Sequence, residues 1–177
     1  MTEVDICNMA LQKLGNADNY IDKLSDATKE ARALNRSYAP IRDLVLADFP
    51  WNFAEVWAVL TADVGSPAYG YTYQYAMPSD CLQMRIVSDN ELLTEPFPQW
   101  KRVGSWIYCD VPTNIWVVYT GRMTVATLFD NRFCHALAAR LALETAESLI
   151  GASANKKAEL YQEYQALTKQ AHRIDAV

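Results

Sequence analysis

The chain has 177 residues, of which 51% are hydrophobic and 21% charged, and its formal net charge is -5. This composition is typical of a folded protein with a sizeable core and excludes a disordered chain. The acidic balance argues against a nucleic-acid backbone or an anionic membrane surface as the main partner. No apolar run reaches membrane-spanning length, and the acidic start lacks the features of a signal peptide, so we expect synthesis in a cytoplasm.

The first predicted element is a short amphipathic helix between Thr2 and Gly15. Thr2 and Asp5 have the spacing of a capping box, in which each side chain accepts a hydrogen bond from the other residue's amide. Gly15 can adopt the left-handed conformation that closes a helix. A polar connection then leads to a second, longer helix.

The second helix is predicted from an apolar stripe with helical spacing, formed by Ala27, Ala31, Leu34, Tyr38, Ile41 and Val45. Ser25 or Asp26 can cap its start. Pro40 lies inside the pattern and predicts a kink within one helix. Pro50 ends the run because the residue before a proline is pushed out of helical geometry.

From Glu55 onward the hydrophobic period changes to two, which is typical of strands. We predict strands over Glu55–Thr61, over an alternating tyrosine row from Tyr69 to Tyr75, over Cys81–Val87 and, more weakly, over Glu91–Pro98. Ser105–Cys109 and Asn114–Thr120 are predicted to form a hairpin. Two loops, Thr61–Tyr69 and Asn90–Gly104, interrupt this region, and the latter range also contains the weak Glu91–Pro98 strand.

Helical spacing returns near Phe129 and continues to Ile150, where Gly151 ends the helix. Ser153 can cap a last helix. The predicted fold class is therefore α+β, with N- and C-terminal helices packed as a bundle and an antiparallel β-sheet module inserted between them. The expected division is 1–54 and 127–177 for the bundle and 55–126 for the module.

Motifs for catalysis, metals and nucleotides are missing from the sequence. There is no CxxC, HExxH, GxSxG or phosphate-binding glycine loop. The four cysteines are scattered in apolar contexts and are expected to be reduced and buried: Cys7, Cys81, Cys109 and Cys134. We accordingly expect no enzyme activity, no catalytic residues, no metal and no cofactor.

One enzymatic alternative remains open at this stage. Asp80, Cys81 and His135, together with the aromatic row, are the residues that a thiol or carboxylate hydrolase acting on cell-wall or surface glycans would use. Most of the tyrosine row is expected to form an aromatic face packed on the helices or on a neighbouring sheet, and a protein interface is the functional alternative.

Four segments resemble the tail tubular protein A group of tailed phages and prophages, the head-to-tail adaptor, gatekeeper or neck proteins. They are NMALQKLG, SDATKEARALNRSYAPIRDLVLADFPWNFA, YTYQYAMPSDCLQMRIV and FCHALAARLALETAESLI, and they follow one another in matching order. The resemblance implies a structural subunit of a twelve-membered ring between the portal protein and the tail nozzle, a tail tubular protein B-like protein. It also implies location in the virion after synthesis in the host bacterium.

In such a ring, DNA passes through the lumen without specific binding, which a neutral or acidic wall allows. The chain ends soon after its last helix, whereas many relatives continue, so a portal contact through a long C-terminal arm is not expected. A connector subunit of a siphophage-type tail is an alternative, which would also assemble as a ring but would bind a different partner below it. Candidate interface residues are Tyr69, Trp100, Lys101 and Arg102 for axial contacts, and His172 and Arg173 for the portal side.

Overall fold

The computed structural model describes the backbone of residues 1–175 and the side chains of residues 1–171. The described residues form four α-helices and six strands in two small antiparallel sheets, which confirms the predicted α+β fold class. The chain divides into two compact units. The helical unit comprises Met1–Phe53 and Met123–Val177, and the β unit comprises Ala54–Arg122.

Helix α1 spans Glu3–Lys13, and both of its predicted end signals are present. Thr2 and Asp5 form the capping box, with the Asp5 amide donating to Thr2 Oγ1 at 3.2 Å and the Thr2 amide donating to the Asp5 carboxylate at 2.7 Å. Gly15 has a φ of 76°, in the left-handed region that a residue with a Cβ rarely adopts.

Helix α2 spans Lys29–Asp48 and is capped by Thr28, whose hydroxyl accepts the Ala31 amide at 3.1 Å. The predicted caps Ser25 and Asp26 are wrong. The Asp26 carboxylate instead accepts the backbone amides of Asp22 and Lys23, at 3.0 and 2.8 Å, and so closes a turn before the helix. Pro40 lies inside α2, which continues through it as one helix, and the kink at this proline stays a prediction.

Helix α3, Asn131–Ile150, is the centre of the helical unit and contacts α1, α2 and α4. Its buried face is rich in alanine, which lets neighbouring helices approach closely. An aromatic cluster of Trp51, Phe53, Phe129 and Phe133 packs with mainly edge-to-face ring contacts, and the Trp51 indole donates to the carbonyl of Val45 at 2.8 Å.

Helix α4, Ala154–Asp175, follows α3 after a short turn. Gly151 has a φ of 59°, and the Ser153 hydroxyl accepts the Lys156 amide at 3.3 Å, which agrees with the predicted stop and cap. Tyr164 on α4 donates to the Asp48 carboxylate of α2 at 3.0 Å. This contact joins the N- and C-terminal parts of the bundle.

The β unit contains two three-stranded antiparallel sheets with strand orders β1-β6-β3 and β2-β5-β4. The strands are β1 Glu55–Thr61, β2 Tyr73–Ala76, β3 Cys81–Ser88, β4 Trp100–Val103, β5 Trp106–Cys109 and β6 Asn114–Gly121. Both sheets contribute to one buried cluster, formed by Tyr75, Met84, Val87, Ile107, Cys109, Ile115, Val117 and Tyr119.

Two strand predictions are wrong. Residues 91–98 form no strand, because Pro96 and Pro98 cannot donate to a ladder and Asn90 bonds locally to Thr94. A strand lies instead at Trp100–Val103, inside the predicted loop. The predicted hairpin of β5 and β6 does not form either, since β5 pairs with β2 and β4, whereas β6 pairs with β1 and β3.

The tyrosine row is shorter as a strand than its alternation predicts. Only Tyr73 and Tyr75 lie in β2. Tyr75 is fully buried and donates to the carbonyls of Val111 and, at 2.9 Å, Thr113. Tyr69 lies in the preceding loop with 80% of its surface exposed. The row therefore divides into a core part and a solvent-facing part.

Candidate interaction surfaces

The predicted interface residues of the β unit lie in two places. Tyr69 is an exposed loop residue. Trp100, Lys101 and Arg102 lie on β4, at the edge of its sheet, and not in a loop as expected. Trp100 is half-buried and packs against the core cluster, whereas Lys101 and Arg102 are exposed. The side chains of His172 and Arg173 lie outside the described residues.

A polar cavity of about 420 Å³ lies beside Cys81. Its charged lining comes from Arg102 and Arg122, and Ser79 and Ser105 also line it. Arg102 Nε donates to the carbonyl of Gly104 at 3.3 Å, which fixes the guanidinium at the β4–β5 turn. Sequence reasoning did not find Arg122, since the only available signal was a basic residue directly after a predicted strand.

The groups around this cavity disfavour an activated thiol nucleophile. Burial raises the pKa of the Cys81 thiol, and the nearby charge of Arg102 opposes this only in part. The Asp80 carboxylate accepts the hydroxyl of Tyr119 at 3.1 Å. Burial, and then this hydrogen bond, raise the pKa of Tyr119 to about 12. A raised pKa disfavours the thiolate, which is the form that a cysteine hydrolase uses as its nucleophile.

His135 and the other three cysteines do not line this cavity. His135 is an exposed residue on α3, in the helical unit. Burial raises the pKa values of Cys109 and Cys134, and raises that of Cys7 to about 12. All three thiols are buried and free, as the sequence predicts, whereas Cys81 is free but only half-buried, so its predicted burial is wrong.

The outer face of the β1-β6-β3 sheet carries an apolar groove of about 190 Å³. Its lining includes Trp57 and Val59 of β1 and Trp116 of β6. Trp57 and Val59 are 65% and 53% exposed, and the Trp57 indole donates to the Glu55 carboxylate at 2.6 Å. The sequence signal for this surface was the alternation in β1, which places these two side chains opposite Val56, Ala58 and Leu60.

A locked turn borders the groove. The Asn90 side chain accepts the backbone amide and the hydroxyl of Thr94, at 3.2 and 3.1 Å, and donates to its carbonyl at 3.3 Å. Leu93 lines the groove and has a φ of 52°. Leu92 is 77% exposed. The turn therefore holds apolar side chains in solvent in a fixed conformation, which lowers the entropy cost of using them in an interface.

The helical unit has a groove of about 330 Å³ along α2 and α3. Lys29, Arg32 and Arg36 of α2 line it together with Glu144 of α3. Lys29 donates to the carbonyl of Leu149 at 3.1 Å, and Arg32 donates to the carbonyls of Ala27 and Thr28. Two of these cations therefore complete backbone hydrogen bonding at helix ends.

Among the side chains of residues 1–171, no three from His, Cys, Asp or Glu are grouped as a metal site. Within the same range, no helix combines the length and apolar character needed to cross a membrane. No protein-family model matches the chain, and no curated protein matches its sequence. Functional inference therefore depends on the residues and surfaces themselves.

Proposed function

We propose that this chain is a structural head-to-tail adaptor subunit of the tail tubular protein A type. In this proposal it is not an enzyme and needs no cofactor. It assembles into a ring of twelve copies between the portal and the tail nozzle of a virion, and DNA passes through that ring during ejection.

One observation carries the proposal: the four family-like segments include central elements of both units. Residues 8–15 include the second half of α1, residues 25–54 include all of α2, residues 71–87 include β2 and most of β3, and residues 133–150 form most of α3. The first, second and fourth segments supply buried core residues of the helical unit. The third segment supplies Tyr75, Met84 and Val87 of the β-unit core. A resemblance that includes the core of each unit favours a shared architecture over a shared surface motif.

Two further observations support a structural role. The raised pKa of Cys81 favours a packed thiol over the nucleophile of a hydrolase. The β unit exposes apolar side chains on a locked turn and an edge strand, and contiguous exposed apolar surface is typical of protein interfaces.

The test is reconstitution with the portal ring of the same phage. The purified chain is mixed with portal rings, and the complexes are imaged by electron microscopy and weighed by native mass spectrometry. We expect a ring of the chain on one face of the portal, with mass corresponding to about twelve copies. Adding the nozzle protein should extend that ring on its far side.

The control is the portal alone with the nozzle protein, which should not join without the chain. Assembly on the portal with no binding of the nozzle would favour the siphophage connector instead. Absence of any complex would overturn the proposed function. Glycan hydrolysis that vanishes in Cys81→Ala or His135→Ala would replace it with the enzymatic one.

A further inference from the structure

The two sheets of the β unit have four edge strands, and three of them carry features that restrict which strand of another chain can pair with them. β3 is interrupted by register shifts between Cys81 and Gln83 and between Met84 and Ile86. β2 has four residues and is followed closely by Pro78. β4 also has four residues, and Lys101 and Arg102 occupy its centre. Short, bulged or cationic edges are common means of preventing indiscriminate strand addition.

β1 carries none of these features. It has seven residues, EVWAVLT, pairs with β6 in continuous register and contains no proline, lysine or arginine. Its exposed side chains include Trp57 and Val59. A strand of another chain can add to a long, mainly apolar edge of this kind.

β1 and β4 lie on opposite sides of the β unit. The Asp63 amide donates to the Gln74 carbonyl at 2.8 Å, so the end of β1 lies beside β2. β3 and β4 are the opposite edges of the two sheets. The β1 edge of one copy can therefore meet the β4 edge of a second copy. Contact between two different surfaces of identical subunits is the geometry of a head-to-tail assembly.

The two sides also differ in charge. Glu55 on β1, Asp63 just after it and Glu91 in the apolar groove make the β1 side acidic. Lys101 and Arg102 make the β4 edge basic. Pairing β1 with β1 of another copy would bring like charges together, whereas pairing β1 with β4 brings opposite charges together.

We propose that β1 of one copy pairs with β4 of the next copy, so that their sheets become continuous across the subunit boundary. Glu55 faces Lys101 of the next copy, and Trp57 and Val59 are covered in the contact. This inference rests on the proposed ring function and assigns its lateral interface. The same contact, repeated around an axis, closes a ring.

The test uses charge reversal in the full-length chain. Glu55→Lys places a lysine opposite Lys101, and Lys101→Glu places a glutamate opposite Glu55, so each variant alone creates a like-charge contact at every interface. A mixture of the two variants allows alternating subunits with an opposite-charge pair at every contact, which an even-numbered ring accommodates.

Assembly is measured by sedimentation velocity on the free chain and by native mass spectrometry on portal rings. We expect each variant alone to need about tenfold or more higher concentration than the wild type to assemble. We expect the equimolar mixture to regain assembly close to the wild-type level. Asp18→Lys and Lys23→Glu are matched controls, since both residues are exposed in the helical unit, and they should assemble like the wild type.

The outcomes separate this interface from the proposed function. If the wild type forms rings and both charge variants do so equally well, or if their mixture shows no recovery, the β1–β4 interface is wrong and the adaptor function stands. If the wild type forms no ring alone or on the portal, both proposals fall.

Discussion

The neighbours Asp80 and Cys81 show how surroundings set the chemistry of single residues. Asp80 is exposed and accepts a hydrogen bond from Tyr119, whereas Cys81 is half-buried at the start of β3. Burial disfavours the charged thiolate, so the pKa of Cys81 lies above its usual value of 9.0. Adjacency in sequence therefore does not make these residues a catalytic pair.

The raised pKa gives a prediction for thiol reactivity. At pH 7 the thiolate fraction of Cys81 is below that of a free cysteine, and it rises as the pH approaches and passes the raised value. We expect slow alkylation by iodoacetamide at pH 7 and a steep increase above pH 9, followed by mass spectrometry of the folded chain. Cys81→Ser should remove this labelling, because the other cysteines are buried. Labelling at pH 7 as fast as that of free cysteine would contradict the prediction.

Tyr75 and Tyr69 provide a matched pair for testing the divided tyrosine row. Tyr75→Phe removes a buried hydroxyl and leaves the carbonyls of Val111 and Thr113 without their donor. We expect the free energy of unfolding to fall by about 1–2 kcal/mol in urea titrations. Tyr69→Phe, at an exposed loop position, should change it by less than about 0.5 kcal/mol. Equal effects of the two substitutions would refute the division.

For helices and strands, the predicted bounds are accurate where the sequence signal acts between near neighbours in the chain. The ends of α1 and α3 depend on Thr2, Gly15 and Gly151, which act within one turn of the helix they close. β1 has the bounds that its alternation predicts. β4 was missed, since WKRV has a weak strand pattern and its pairing with β5 decides its structure.

The central position of α3 predicts a large effect of truncating its core side chains. Phe133 is fully buried and contacts the rings of Trp51, Phe53 and Phe129. We expect Phe133→Ala to lower the free energy of unfolding by about 3–5 kcal/mol, because it leaves a cavity and removes the ring contacts. Chemical denaturation followed by tryptophan fluorescence measures this.

Leu128→Ala is the control for that substitution. Leu128 is 60% exposed and lies close to Phe129 in sequence, so its truncation should cost less than about 0.5 kcal/mol. A loss of similar size in the two variants would mean that the aromatic cluster does not stabilise the helical unit.

At the scale of the molecule, each unit has a core of its own. The β unit buries residues of both sheets in one cluster, and the helical unit packs α1, α2 and α4 around α3. A self-contained core is the property of a domain that can fold alone.

We therefore predict that residues 54–122, expressed alone, fold cooperatively. The measurements are amide dispersion in a two-dimensional NMR spectrum and a single transition in urea. Ile107→Asp is the control, because it places a carboxylate in the buried cluster and should abolish the dispersed spectrum. A spectrum without amide dispersion for the unsubstituted fragment would show that the β unit needs the helices in order to fold.

The sequence by itself determined the helices, the cap signals of α1 and α4, the bounds of strand β1 and the α+β class, because these follow from periodicity and from side chains that act on near neighbours. It also supplied the resemblance on which the adaptor proposal rests. Only the tertiary structure decided that β5 and β6 enter different sheets, that Tyr75 is buried while Tyr69 is exposed, and that an acidic edge and a basic edge lie on opposite sides of one unit. Strand partners are chosen by long-range pairing and by a shared core, and neither is encoded in the local pattern of any single strand.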